Sequence, residues 1–432
     1  MKKYLLIIPL LLLATSCARE SAGDVVYEMN VRQYTPEGTF AAAQNELPRL
    51  KELGVDIVWL MPIYEIGQKG RKGTLGSYYA IKDYKTTNPE FGTLDDFDAF
   101  VAEAHRLGLR VILDWVANHT SPDAAWVTEK PADWYYRDSL GNTIVEYDWT
   151  DIAKLNYGNA DMRSAMQDAM RFWVDRDIDG FRCDMAMLVP QDFWTETIMM
   201  LRKESGRPLF FLAEGEETWL HEAGFDATYA WKLHHMLNDI ANGKAGVEEL
   251  KAYIEADAAE YPAGARRLMF TSNHDENSWA GTEMERMGKA ASLMAVLTFT
   301  LPNSQPLIYT GQEVGYDHRL AFFEKDPVPS WYPNMYTGFY RQMTRLRHSH
   351  SALRDGSYEV LDDQWVPDDV FAFTMTDSRE QVLVLANFSQ SYRSCTLPDG
   401  VKWADAFTGD YFDDEMNCPV VEPWGWRILV RK

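Results

Sequence analysis

The 432-residue chain sets 42 Lys and Arg against 65 Asp and Glu, a formal charge of -23, with 46% hydrophobic and 25% charged residues. A chain of this length and ordinary globular composition can bury a large core, which excludes a disordered protein. An acidic surplus of this size speaks against nucleic acid as a partner, because nucleic acid is held by Lys and Arg at its phosphates, and it suits a neutral ligand.

Met1-Lys2-Lys3 followed by the apolar run Tyr4 to Leu13 is a charged n-region plus an h-region too short to span a bilayer. The run ends at Ala14-Thr15-Ser16-Cys17, which resembles a bacterial lipoprotein signal. That resemblance implies a signal peptide over 1–17 with Cys17 as the lipidated residue. The protein would be exported and held by lipid at the outer membrane of a Gram-negative bacterium, facing the periplasm or the outside. The alternative is a plain secretory signal. Cys183, Cys395 and Cys418 remain, an odd set and a poor disulfide framework. Cys183 reads as packing; Cys395 and Cys418 read as a pair or as buried thiols.

Val25 to Val31 reads as a strand, Phe40 to Leu53 as an amphipathic helix closed by Gly54, and Val55 to Met61 as a fully apolar strand of the kind found in covered parallel sheets. Helix Leu94 to Leu107 precedes strand Leu109 to Leu113, which runs out at Asp114. After an irregular stretch over 117–157, helix and strand alternate again: Met162 to Arg176 then Ile178 to Asp184, Gln191 to Glu204 then Leu209 to Glu214. Helices between Trp231 and Glu260 then lead to strand Arg267 to Ser272, helix Glu283 to Thr300 to strand Pro306 to Tyr309, and helix Tyr336 to Arg347 follows. The alternation, with seven of its strands named, is read as eight β/α units, a TIM (β/α)8 barrel over 24–350 with a short inserted domain over 117–157. From 351 to 432, short alternating runs such as Val370 to Met375, Gln381 to Asn387 and Trp426 to Val430 predict a C-terminal antiparallel β-sandwich. Of 15 Trp and 22 Tyr, several fall in the insertion: Trp126, Trp134, Tyr135, Tyr136, Tyr147 and Trp149, readable as core or as stacking platforms.

Functional residues of a TIM barrel gather at the C-terminal ends of its strands. Four predicted strands end in charged groups: Asp114 with Asn118 and His119 beyond it, Arg182 with Asp184, Glu214, and Asn273-His274-Asp275. Each alone has a structural explanation as a cap, an ion pair or an acidic turn, but those explanations do not place all four at one rim. Three carboxylates and two His around one cavity suit acid/base work on a neutral substrate. Arg182 and Asp184, two residues apart on a strand, share a face, so Arg182 is expected to hold Asp184 ionised. Glu214, after Phe210-Phe211-Leu212-Ala213, is expected to stay protonated in apolar surroundings and to serve as the acid.

The ordered motifs DWVANH (Asp114 to His119), GFRCD (Gly180 to Asp184), AEGEE (Ala213 to Glu217) and SNHDEN (Ser272 to Asn277) resemble the four conserved regions of the α-amylase family of glycoside hydrolases. The segments from Tyr78 to Tyr84 and from Gly311 to Glu313 resemble the family's stretch after the second strand and its eighth-strand end. The resemblance implies Asp184 as nucleophile, Glu214 as general acid/base and Asp275 as the third carboxylate. Arg182 would orient Asp184, His119 and His274 would bond sugar hydroxyls, Tyr79 would stack beneath the ring, and Asp114 would support the floor. It further implies retaining cleavage of α-1,4-glucan or maltooligosaccharide, with no cofactor needed for the chemistry and with a glucan-uptake system as partner; the membrane is reached through the lipid anchor alone. A glucanotransferase or α-glucosidase would share these residues, and a non-catalytic glucan-binding protein is the alternative outside enzymes. The family's Lys and His after the nucleophile are Met187 and Leu188 here, and its acidic calcium loop is absent from Asn30 to Pro36. Structural calcium therefore has only Asn118 as a candidate ligand, with Asp148 or Asp151 assisting.

Overall fold

The computed structural model describes residues 24–361, 364–397, 400–413 and 418–432; Cys17 and the signal segment lie outside the described residues. Eight parallel strands close into a barrel: β1 Val26–Met29, β2 Ile57–Leu60, β3 Arg110–Trp115, β4 Gly180–Cys183, β5 Phe210–Ala213, β6 Ala227–Tyr229, β7 Arg266–Met269 and β8 Ser304–Tyr309. They follow one another around the ring in chain order, and β1 closes against β8 through Val26 opposite Leu307. The barrel interior is filled by Val26, Ile57, Trp59, Ile112, Leu212, Tyr229, Leu268 and Phe270. The alternate residues, among them Val58, Leu113, Phe181, Cys183 and Phe211, pack outward against the helices. This two-residue period sends Arg182 inward and Cys183, buried, outward.

Seven of the eight strands lie where the apolar runs predict them. The other, β6, has three residues and falls in a stretch to which the sequence assigns no element; it is held by parallel pairing to β5 and β7 on both sides. The single helix expected over Phe40 to Leu53 is two, Phe40–Gln44 and Leu47–Leu53. Pro48 lies in the first turn of the second, where its missing N–H is harmless; within one continuous helix it would forfeit a hydrogen bond to Gln44. The helix expected over Glu283 to Thr300 is likewise divided, into Glu283–Met287 and Ala291–Thr300, around a 3-10 turn at Gly288–Ala290.

Gly180 opens β4 at φ +148, and a Cβ there would fall 1.8 Å from the Phe210 carbonyl oxygen. Only glycine lets the strand carrying Arg182 approach β5 this closely. The insertion after β3 is small, held by a two-stranded antiparallel pair in which His119 and Thr120 face Lys154 and Ala153. Within it Trp134 and Tyr135 are buried, whereas Tyr147 is 65% exposed. The C-terminal unit is a six-stranded antiparallel sheet accompanied by a two-stranded one, built on Val370–Thr376, Gln381–Asn387 and Trp426–Arg431. Cys183, Cys395 and Cys418 are free thiols.

Candidate active site

Register determines what meets at the C-terminal rim. Asp114 of β3 lies opposite Arg182 of β4, and Arg182 opposite Leu212 of β5, two residues before Glu214. Arg182 is fully buried. Its Nη1 reaches Asp114 Oδ1 at 2.9 Å and Asp184 Oδ1 at 3.1 Å, its Nη2 forms an ion pair with Glu214 Oε2 at 2.9 Å, and its Nε donates to the Tyr229 hydroxyl at 3.2 Å. One guanidinium thus joins three carboxylates. Residue 185 follows Asp184 in a left-handed conformation, Met185 at φ 43°, which turns its N–H onto Glu214 Oε2 at 2.8 Å. Such a backbone is costly for a side chain larger than glycine and is held here by the site around it.

These contacts correct the expectation for Asp184. Its carboxyl is pushed well up, first by burial and then by the charge of Glu214, against the downward pull of Arg182. The physical reason is that Arg182 is shared. A cation divided among Asp114, Asp184 and Glu214 does not single out one of them. Nor does Glu214 stand apart in an apolar pocket, because its Oε2 pairs with the guanidinium and accepts the Met185 N–H.

Asp114 is the floor of the site. It is buried, and it accepts from Trp59 Nε1 at 3.2 Å and from the Tyr79 hydroxyl at 3.1 Å. Tyr79 in turn lies 2.7 Å from His274 Nε2 and stacks on that ring at 5.3 Å between centroids. His274 Nδ1 is 2.5 Å from Glu28 Oε1 and its Nε2 is 3.4 Å from Asp275 Oδ2. Burial alone would lower the His274 pKa, but Asp275 and Glu28 outweigh it and raise it to about 9, so the imidazolium is the resting form at neutral pH. Both ring nitrogens then donate, and the chain runs from His274 through Tyr79 to Asp114. His119 is the opposite case. Burial lowers its pKa to about 4 against the raising effect of the Tyr79 backbone, so it is neutral, and its buried Nε2 makes no well-formed hydrogen bond. Asp275 is the most open of the carboxylates, its side chain 41% exposed.

The structure therefore brings Tyr79, Asp114, His119, Arg182, Asp184, Glu214, His274 and Asp275 to one end of the barrel. Three further members escaped the sequence reading. Glu28 is a lone acid in the buried strand Val26–Met29, a signal that was there to be used. Trp59 sat unremarked in an apolar run, and Tyr229 belongs to the strand that was not assigned.

The residues named for calcium have other partners. The Asn118 carbonyl accepts the Leu155 N–H at 3.1 Å, and its side-chain Nδ2 lies 3.3 Å from His119 Nδ1. Asp151 is buried and paired with the Lys72 ammonium at 3.2 Å, so a side-chain cation already neutralises it, and Asp148 is exposed. Among the described residues no cluster of three or more His, Cys, Asp or Glu could hold a metal ion.

The pattern of the family described as "Alpha amylase, catalytic domain" matches residues 18–139 and 128–330. Among solved structures, an α-amylase of Lactobacillus plantarum is 30% identical with a TM-score of 0.85 over 94% of this chain and 98% of that one. A noncanonic maltogenic α-amylase of Thermotoga neapolitana is 29% identical with a TM-score of 0.82 over the same shares. A curated α-amylase of Haloarcula japonica is 29% identical over 90% of this chain, which spans 58% of that protein's length.

Proposed function

This chain belongs to the α-amylase family of glycoside hydrolases, and on that premise we propose that it cleaves α-1,4-glucosidic bonds of starch-derived glucans or maltooligosaccharides with net retention. The observation that carries this reading is the sharing of one buried guanidinium by Asp184 and Glu214. Glu214 Oε2 also accepts the N–H of the residue directly after Asp184, which keeps the two carboxyls close. Close placement fits direct attack, for which carboxyls stand about 5–5.5 Å apart, better than the water-wide gap of about 6.5–9.5 Å in inverting enzymes.

The high pKa of Asp184 fits the same scheme. Burial and then the charge of Glu214 raise the Asp184 carboxyl, so neutralising Glu214 removes one of the two causes. When a proton sits on Glu214, the repulsion is relieved and Asp184 ionises beside Arg182. Asp184 then attacks the anomeric carbon while Glu214 gives its proton to the leaving oxygen. The proton is recovered when Glu214 takes one from the incoming water, whose oxygen displaces Asp184. Asp275 and His274 hold hydroxyls of the reacting sugar, the Nε2 of His119 takes another, and Tyr79 lies under the ring. The chemistry needs no metal from these residues.

Incubating maltoheptaose with the protein and with an Asp184→Asn variant tests the reading. Shorter maltooligosaccharides are expected from the wild type and a loss of at least about 10³-fold in the variant, the order of a lost catalytic nucleophile; equal activity would exclude Asp184. We also propose that the exported protein is lipidated at Cys17, on the strength of the charged start, apolar run and Ala-Thr-Ser-Cys stretch. Labelling with palmitate that persists in a Cys17→Ser variant would end that proposal.

A further inference from the structure

We propose that Trp279, backed by Phe322 and Phe323, is a stacking platform for a glucosyl unit on the non-reducing side of the sugar held over Tyr79; this rests on the α-glucan reading above. Trp279 is a large apolar side chain left 57% exposed, four residues beyond Asp275. It is presented by a π-helical turn, Glu276–Ala280, an irregularity that costs hydrogen-bond geometry and concentrates at functional sites. Its ring lies 5.2 Å from Phe322 at 38° and 5.7 Å from Phe323. Phe322 in turn lies 6.4 Å from Tyr79 at 20°, and 6.4 Å from His274. The rings therefore run in successive contact from Tyr79 through Phe322 to the open indole of Trp279.

The rings adjoin Tyr79 and His274, while different residues border Glu214. Glu214 is bordered by Met185, whose N–H it accepts, and by the turn where a Cβ on Gly215 would meet Met187 at 3.5 Å. Tyr79 and Phe322 lie 5.3 and 6.4 Å from His274, and Trp279 follows Asp275 by four residues.

The platform is also fixed in place. Ser278 Oγ donates to the Leu320 carbonyl at 2.8 Å, and Asn277 accepts the Leu320 N–H at 2.8 Å while donating to the His318 carbonyl at 3.0 Å. From the other side, the buried Arg32 and Gln33 donate to the carbonyls of Phe322 at 3.3 Å and Ala321 at 2.9 Å, and the Leu75 N–H to that of Phe323 at 3.0 Å. The segment after β1 that lacks carboxylates thus clamps the aromatic strip. A surface held this way binds an apolar sugar face without an ordering cost.

Steady-state kinetics on maltohexaose test the proposal with Trp279→Ala and Trp279→Phe variants. A stacked ring contributes about 0.5–1.5 kcal/mol, so Trp279→Ala is expected to raise KM up to about tenfold with kcat little changed, and Trp279→Phe to restore most of it. An unchanged KM in Trp279→Ala, a loss confined to kcat, or a Trp279→Phe variant as impaired as the alanine one would overturn the platform. A wild type that does not act on maltohexaose would instead overturn the α-glucan reading beneath it.

Discussion

Arg182→Lys isolates what the guanidinium contributes beyond its charge. Lysine keeps one positive charge at the same depth, but a single ammonium cannot span Asp114, Asp184 and Glu214 as Arg182 does at 2.9, 3.1 and 2.9 Å. At least one, and by geometry two, of the three contacts are lost. A contact to a charged group contributes about 1.5–3 kcal/mol, so losing those of Asp184 and Glu214 removes roughly 3 kcal/mol or more from the aligned pair. At about 1.4 kcal/mol per decade this is a fall of at least about 100-fold in kcat, with KM less affected because Tyr79, His119 and His274, the residues proposed to bind the sugar, are left in place. The pH profile carries a second signature. Arg182 pulls down an Asp184 carboxyl that burial and Glu214 have raised, so weakening that pull moves the acid limb of kcat/KM to higher pH. The assay is the pH dependence of maltoheptaose hydrolysis by both proteins. A variant within about threefold of wild-type kcat and with an unmoved acid limb would refute the shared-guanidinium account.

Glu28→Gln tests the charge on His274. With a folded pKa of about 9 against an ordinary 6.5, the ion pairs of His274 stabilise fully below pH 6.5 and are lost as pH rises through about 9. The variant should bring that loss to lower pH, read as a fall in Tm between pH 7 and 9 and an alkaline activity limb displaced downward by about one unit. His119 works in the other direction: neutral and lowered to about 4, it contributes stability that is present above pH 6.5 and lost as pH falls through 4, so His119→Gln should flatten the acid side of the Tm profile. Because Lys72 already neutralises Asp151, a chelator should leave Tm and activity unchanged, whereas Lys72→Ala should lower Tm by a few degrees; sensitivity of the wild type to chelation would contradict the Lys72 pairing as the substitute for a cation. Product sizing from maltoheptaose separates hydrolysis from transfer: only shorter chains are expected, and chains longer than seven units would show that the apolar side at Met187 and Leu188 favours a sugar acceptor over water.

The rim residues were legible because barrel topology and strand period together fix where they go. Arg182 and Asp184 alternate with Cys183, and a residue that ends a parallel strand in a closed barrel has one place to be. What failed to show in the sequence depended on contacts between distant segments. The three residues of β6 carry too little pattern to announce a strand, and with them Tyr229 went unnoticed. Spacing placed Arg182 beside Asp184 but could not reveal that Asp114 and Glu214 lay against the same guanidinium, so the lowering of Asp184 expected from the local pair did not hold. Trp279 and Phe322 come from loops 43 residues apart, and only packing shows that they form one surface with Tyr79. Pro48 marks the break between the two helices in the sequence itself, although the apolar period runs on across it.

The stereochemistry of the first product tests the central claim most directly. Proton NMR of maltooligosaccharide hydrolysis, followed from the first minutes before mutarotation, should show the α-anomer of the new reducing end appearing first, as double displacement through Asp184 requires. Initial appearance of the β-anomer would contradict a covalent intermediate on Asp184 and the close pairing of Asp184 with Glu214 on which the mechanism rests.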